Sequence, residues 1–232
     1  MKILALETSA VAASVAICED EALIAQSFQR TGLTHSATLM PMFEAMLKNC
    51  GMCLDEIDII AVAAGPGSFT GLRIGVSAAK GLAWPHGKPC AGVSTLEAMA
   101  WQMTGMNGVV CACMDARRQQ VYNALFEIRE GIPVRLTPDR AISLDELGAE
   151  LEKFDKNQIL VGDGAQLCYN AFQSKGYPIV MPPAHLQLQS AWGVARCALE
   201  QARVGQLTDA AGLIPQYHRL SQAERERLAK QS

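Results

Sequence analysis

The chain has 232 residues, half of them hydrophobic and 19% charged, so it can bury a substantial core. Its net charge of −3 and pI near 5.8 argue against a protein that binds nucleic acid alone. Phosphate binding of that kind needs clustered Lys and Arg, and the sequence has no such cluster. If a nucleic acid is the final substrate, another protein is expected to supply most of the binding.

The cysteines and the apolar runs indicate a cytoplasmic protein with reduced thiols. There are eight cysteines in a long, core-rich chain, which does not suggest a disulfide framework. No convincing cleavable signal and no run of about 18 apolar residues is present, so no membrane association is expected. Cys50 and Cys53 form the one C-x-x-C pair; without a second pair, this predicts neither a zinc site nor a redox site.

Three short apolar segments at the start of the chain predict an antiparallel meander. They cover residues 2–7, 13–18 and 23–29 and are separated by tight polar connections. Thr34 is predicted to cap the helix that follows, and Pro41 either to kink this helix or to mark where its regular part begins. The predicted apolar face of that helix consists of Leu39, Phe43, Met46, Leu47 and Cys50.

Strands and helices then alternate, which predicts a layered α/β domain. A second unit is predicted to start near Gly108, and in it Ser143 and Glu146 form a capping box that opens a helix. The predicted strands are 57–63, 90–94, 109–114, 121–128, 159–161 and 177–181, and the other predicted helices are 72–84, 96–103 and 189–204.

The strongest local signal is the glycine-rich segment between a buried strand and a helix. Gly65, Gly67 and Gly71 allow a sharp turn and a close backbone approach, and Thr70 lies where the helix N-terminus would suit a phosphate. The spacing matches neither the Walker loop nor the dinucleotide G-x-G-x-x-G pattern. The alternative to a phosphate site is a tight packing turn.

A second candidate site lies at the end of the first strand. Glu7, Thr8 and Ser9 supply a carboxylate and two hydroxyls, which could hold a nucleotide phosphate through Mg²⁺ or water. The same side chains could cap a turn by bonding to the backbone, and their position favours this second interpretation.

Together these segments resemble the TsaB (YeaZ) family, the relatives of TsaD within the actin, hexokinase and Hsp70 superfamily. The resemblance implies an α/β actin-like (ribonuclease H-like) duplicated fold. A first lobe of residues 1–106, completed by helix 189–204, would precede a reduced second lobe of 107–188 and a C-terminal tail of 205–232, its last dozen residues solvated. The matching stretches are residues 3–9, His35 to Pro41, Ala64 to Gly75, Ala79 to Ala83, Met114 to Tyr122, and Pro215 with Tyr217.

The resemblance also implies that this chain has no catalytic residue and no metal of its own. TsaD carries two histidines at i and i+4 that can bind one metal, and Thr95 and Met99 stand at the matching positions here. The rival hypotheses are an independent peptidase-like or ATP-dependent kinase-like enzyme, although neither a G-x-S-x-G nor an H-E-x-x-H motif is present.

The function implied is that of an accessory subunit in the threonylcarbamoylation of adenosine 37 in tRNAs that read ANN codons. TsaD would be the direct partner and TsaE would join through it, while a TsaC-type synthase supplies the intermediate. The tRNA would be bound by the complex, and without TsaD the chain would form a homodimer. No cofactor of its own is expected, apart from ATP or ADP held weakly or at the interface with TsaD.

The helices predicted at about residues 35–50 and 71–84 are expected to form the partner interface, because they carry more apolar surface than one core needs. Methionines adapt to shared surfaces, and small residues allow close helix approach. The alternative is that this stripe is ordinary core; the resemblance favours the interface. The predicted interface residues are Leu39, Met42, Met46, Leu72, Arg73, Val76, Ala79 and Lys80.

Overall fold

Two β-sheets of the same topology organise the chain. The computed structural model describes residues 1–218. In the first sheet the strand order is β3-β2-β1-β4-β5; β1, β2 and β3 are antiparallel, whereas β4 and β5 run parallel to β1. The strands are β1 (Lys2–Glu7), β2 (Ala13–Glu19), β3 (Ala22–Gln29), β4 (Ile59–Gly65) and β5 (Cys90–Ser94).

The second sheet repeats this pattern with shorter outer strands. Its order is β11-β10-β6-β7-β8, again an antiparallel meander with two parallel strands added beside its first strand. Strand β9 pairs with the far end of β7. The strands are β6 (Val109–Asp115), β7 (Gln120–Arg129), β8 (Ile132–Arg135), β9 (Arg140–Ser143), β10 (Gln158–Val161) and β11 (Ile179–Val180). The predicted duplicated fold with a reduced second lobe is therefore confirmed.

Each face of the first sheet is covered by helices, because alternate residues of a strand point to opposite faces. Leu4 and Leu6 of β1 pack with helices α1 (His35–Cys50) and α2 (Phe69–Ala83). Ile3 and Ala5 face the opposite side, where helix α6 (Ala191–Arg203) lies across β1 and β2.

Helix α3 (Thr95–Trp101) joins the two lobes. Ala98 and Trp101 pack with α6 and the first sheet, whereas Leu96 and Met99 pack with the second sheet. Helices α4 (Leu144–Leu151) and α5 (Ala165–Phe172) cover the outer face of the second sheet. The layers therefore run α1 and α2, first sheet, α6 and α3, second sheet, α4 and α5.

An ion-pair network at the start of α3 also links the two lobes. Arg135 of β8 contacts Glu97 of α3 at 2.7 Å and Asp139 at 2.5 Å. The Ser94 hydroxyl, at the end of β5, donates to Asp139 at 2.6 Å. Arg135 also lies over the Phe126 ring, which limits its freedom and favours this arrangement.

Several predicted boundaries were wrong, and the reasons are local. Helix α2 begins at Phe69 instead of Leu72, because the Ser68 hydroxyl accepts the Gly71 N–H and caps the helix three residues early. Thr34 occupies the N-cap position of α1, yet its side chain makes no capping hydrogen bond. The capping box at Ser143 is present as predicted. Strands β8 and β9 and helix α5 were not predicted; each has eight residues or fewer.

The segment predicted as a tail is packed against the first lobe over much of its described length. Thr208 forms an isolated antiparallel bridge with Cys90, and Leu213 is buried in the first core. The last dozen residues, predicted to be solvated, lie outside the described residues. Within residues 1–218 no helix combines the length and apolarity that crossing a bilayer requires.

Candidate functional site

The end of β1 packs directly on the first turn of α2, so the two segments singled out in the sequence meet. The Thr8 hydroxyl donates to the Gly71 carbonyl at 2.8 Å. The backbone N–H of Ser68 donates to the Ser9 carbonyl at 2.7 Å. These two bonds fix the glycine-rich segment against the strand that starts the sheet.

The glycines are required by this close approach. A Cβ atom would lie 2.6 Å from the Ser9 carbonyl oxygen at Gly67, 2.1 Å from the Thr8 carbonyl oxygen at Gly71, and 2.4 Å from the Thr8 hydroxyl at Gly75. None of these distances is compatible with a real side chain. The chain's own backbone therefore occupies the space that the glycines leave, as the packing-turn interpretation expects.

Substituting Gly71 with Ala should destabilise the protein by about 3 kcal/mol, because the new methyl group meets backbone that cannot move aside. Gly81 lies on the same helix and has nothing within 4 Å of a Cβ atom. Gly81→Ala should instead stabilise the protein by about 0.5–1 kcal/mol through helix propensity. Urea unfolding of both variants measures the difference; equal effects would contradict the packing explanation.

Glu7 is an unusual carboxylate, because it is completely buried without a cation beside it. One oxygen, Oε1, accepts the Ser9 N–H at 2.5 Å, and Oε2 has no hydrogen-bond partner among residues 1–218. Burial raises the pKa of Glu7 to about 7, the Ser9 hydrogen bonds oppose this rise, and the negative charge of Asp163 adds to it. Glu7 therefore titrates near neutral pH.

Asp163 brings the second lobe to the same place. It follows β10 within Gly162-Asp163-Gly164 and accepts a hydrogen bond from the Gln189 side chain at 2.6 Å. Burial is the largest cause of its raised pKa. Asp163 and Gln189 are not among the site residues predicted from the sequence, although a polar residue between two glycines at a strand end is a usable signal.

The predicted phosphate contacts are brought together but are mostly inaccessible. Glu7, Thr8 and Ser9 are fully buried, and Gly65 and Gly71 are buried as well. Gly67 is half-buried, and Thr70 is the exposed residue of the set. In this conformation a phosphate cannot reach the three side chains at the end of β1.

The stability of the protein should fall as pH rises through the range in which Glu7 ionises. Its folded pKa of about 7 lies above the ordinary value of 4.5, so the folded state binds the proton more tightly. The contribution of Glu7 to stability is then greatest below pH 4.5 and declines by roughly 3 kcal/mol up to pH 7. Glu7→Gln mimics the neutral acid, so it should remove much of this decline and be more stable than the wild type at pH 8.

Thermal unfolding of the wild type and of Glu7→Gln from pH 5 to pH 8 measures this effect. Glu44→Gln is the matched control, since Glu44 is exposed on α1. Parallel pH profiles for the wild type and Glu7→Gln would show that Glu7 does not carry the dependence.

Most of the residues predicted to form a partner interface belong to this chain's own core. Leu72, Val76 and Ala79 lie at i, i+4 and i+7, on the side of α2 that faces the first sheet. Six of the eight predicted residues are buried within this chain, because an apolar stripe that packs on a sheet has the same spacing as one that packs on a partner. The buried residues are Leu39, Met42, Met46, Leu72, Val76 and Ala79.

The two remaining residues, Arg73 and Lys80, lie on the solvent side of α2. Arg73 is exposed and Lys80 is half-buried. The solvent-facing side of these two helices is called the α1–α2 surface below. It comprises Glu44, Ala45 and Lys48 of α1, and Arg73, Ser77, Lys80, Gly81 and Trp84 along and directly after α2.

The residues at the TsaD metal-ligand positions are inside the protein. Thr95 is the first residue of α3, and Met99 packs in the core between α3 and the second sheet. Gly162 lies beside Met99, and a Cβ atom there would lie 2.1 Å from the Cys113 carbonyl oxygen and 2.8 Å from the Met99 sulfur. No group of three His, Cys, Asp or Glu side chains that could hold a metal is found in residues 1–218.

Comparison with known proteins identifies the family. The family model described as TsaD, tRNA N6-adenosine threonylcarbamoyltransferase, matches residues 29–226. The tRNA threonylcarbamoyladenosine biosynthesis protein TsaB of Bacillus subtilis is 32% identical over 231 residues, covering 97% of this chain and 96% of its own length. The chain belongs to the TsaB (YeaZ) family. TsaB of Escherichia coli is 35% identical over 170 residues, which cover 72% of this chain and 73% of that protein.

Solved structures agree with this assignment. YeaZ from Pseudomonas aeruginosa superposes with a TM-score of 0.79 and 25% identity, covering 93% of this chain and 99% of that one. Component A of the (R)-2-hydroxyglutaryl-CoA dehydratase of Acidaminococcus fermentans gives a TM-score of 0.52 at 15% identity, with 88% and 99% coverage, a likeness of fold alone. The predicted actin-like fold of this TsaB-family chain is confirmed.

Proposed function

We propose that this TsaB-family chain is a non-catalytic subunit of the system that forms threonylcarbamoyladenosine at position 37 of tRNAs that read ANN codons. The observation that carries the proposal is the match to a protein named for this biosynthesis over 97% of the chain. A match of that extent aligns both lobes, so the likeness is not confined to one shared motif.

The proposal that the chain does no chemistry rests on its buried residues. Thr95 and Met99 are both fully buried, and neither a hydroxyl nor a thioether is a good ligand for a hard catalytic cation. The carboxylate of Glu7 is fully buried as well. A substrate would therefore have to separate packed backbone to reach these groups.

In this proposal the direct partner is a TsaD-type transferase, which docks on the α1–α2 surface. This surface carries small residues between charged ones, so the helices of a partner can approach it closely. A TsaE-type protein joins through the transferase, a TsaC-type synthase supplies the reactive intermediate, and the complex binds the tRNA. Without the transferase, two copies of this chain pair through the same surface.

No cofactor of its own is assigned to the chain in this proposal. Thr70, on the exposed first turn of α2, is the predicted phosphate contact that a nucleotide could reach from outside. ATP or ADP would then be held weakly, or between this chain and the transferase, and not within the cleft at Glu7.

Ser77→Arg tests the docking surface directly. Ser77 is exposed near the middle of α2, so a long cation there should block the approach of a partner helix without disturbing the core. Co-purification with a TsaD-type transferase should fall at least about tenfold, a loss typical of central interface positions. The unfolding midpoint should stay within about 2 °C, as expected of a surface substitution.

Ala149→Arg is the matched control, because Ala149 is an exposed small residue on α4 of the second lobe. It should leave co-purification unchanged. Undiminished capture of the transferase by Ser77→Arg would place the docking surface elsewhere on the molecule.

A further inference from the structure

The C-terminal segment from Thr208 to Tyr217 runs as a strap along α2. It starts at the sheet edge, where Cys90 and Thr208 exchange two backbone hydrogen bonds of 2.7 and 2.9 Å. The Lys80 ammonium donates to the Ala211 carbonyl at 3.3 Å, and the side chain of Leu213 is buried in the first core. The strap is thus anchored at three points before it reaches the glycine-rich turn.

The strap then crosses the glycine-rich turn in close contact. The backbone N–H of Gln216 donates to the Ala64 carbonyl at 2.7 Å. Gly65 has a φ of +138°, and a Cβ atom there would lie 2.2 Å from the Gln216 carbonyl oxygen. A residue with a side chain at position 65 would block the strap, so the path of the strap explains why a glycine is present there. Gly65 was considered above as a possible phosphate contact.

The strap leads to a three-residue cluster on the first turn of α2, called the Tyr217 stack. The centre of the Tyr217 ring lies 4.8 Å from that of the Phe69 ring, and the two rings stack at an interplanar angle of 29°. The Arg73 guanidinium lies 3.8 Å from the centre of the Phe69 ring, and its Nε donates to the Tyr217 hydroxyl at 3.0 Å. Stacking and the hydrogen bond hold the Arg73 side chain in one orientation.

The Tyr217 stack is preorganised but only partly buried. Tyr217 remains 44% exposed, and Ile214 of the same strap is 65% exposed. The terminal NH₂ groups of Arg73 have no hydrogen-bond partner among residues 1–218, since its bond to Tyr217 uses Nε. Tyrosine and arginine held rigidly at an exposed apolar patch are typical of the residues that dominate binding energy at interfaces.

The charge of α2 indicates the chemistry of the partner. Residues 69–83 contain two cations, Arg73 and Lys80, and no carboxylate. The NH₂ groups of Arg73, which are unpaired within residues 1–218, form the planar fork that binds a carboxylate by two hydrogen bonds. A protein surface with an exposed Asp or Glu beside apolar side chains would complement both the fork and the exposed apolar groups of the strap.

We infer that the strap extends the α1–α2 surface, and that the Tyr217 stack binds a carboxylate-bearing apolar patch of the transferase partner through Arg73. This inference rests on the proposed function. It assigns to the strap a part of the docking that the two helices alone do not supply, and it accounts for Pro215 and Tyr217 in the sequence motif.

The test is the affinity of the full-length chain for a purified TsaD-type transferase, measured by calorimetry at two salt concentrations. Tyr217→Ala should weaken binding about 30-fold, the size of a typical interface hot spot. Tyr217→Phe keeps the stacking and loses the hydroxyl, so it should weaken binding less than about fivefold. Arg73→Gln should weaken binding about tenfold and reduce its salt dependence.

Ile132→Ala is the control, because Ile132 is an exposed apolar residue of the second lobe. It should bind like the wild type. If Tyr217→Ala lowers the unfolding temperature, the affinity of Arg73→Gln is the test of the inference. The Arg73 side chain is exposed, so its loss should leave the core intact.

Wild-type affinity in both Tyr217→Ala and Arg73→Gln would overturn the inference while leaving the proposed function in place. If the wild type itself does not bind the transferase, the proposed function fails and the inference fails with it. Normal binding of the transferase together with impaired capture of tRNA by the complex would also overturn the inference, because Arg73 would then contact phosphate.

Discussion

The contact between the end of β1 and the first turn of α2 is the constraint on which the rest of the structure depends. The carbonyls of Thr8 and Ser9 approach α2 so closely that Gly67 and Gly71 leave no room for a methyl group. This contact seats α2 on the sheet. The glycine-rich turn is also the surface that the strap crosses at Gly65. One close backbone contact thus sets the position of the helical surface and the path of the C-terminal segment.

Much of the fold could be predicted from the sequence, because alternation and capping are local signals. The meander in β1 to β3, the alternation of strands and helices, and the capping box at Ser143 all follow from spacing and residue type. Whether Leu72 and Val76 face the core or a partner could not be predicted from the sequence, because apolar stripes of both kinds have the same period. The strap could not be predicted either: its residues lack periodicity, and its position is fixed by contacts with Cys90 and Ala64, which are distant in sequence.

The interlobe region and the exposed surface of α1, α2 and the strap therefore have different roles. The interlobe region holds Glu7, Asp163 and Gln189 in a polar cluster, and the two lobes are linked by α3 and the Arg135 network. Outside, α1, α2 and the strap present an ordered surface that combines cations with the exposed apolar groups of Trp84, Ile214 and Tyr217. In the proposed function, the chain needs this ordered surface for its partner and needs no chemistry of its own.

The central claim is that this TsaB-family chain acts through a partner and not by its own chemistry. Reconstitution from purified components measures this most directly: threonylcarbamoyl transfer to tRNA with the TsaC-type, TsaD-type and TsaE-type proteins, first without this chain and then with it restored. The account predicts negligible transfer when the chain is omitted, full transfer when it is restored, and none from the chain alone with tRNA and the activated intermediate. Transfer by the isolated chain, or equal transfer with and without it, would contradict the account.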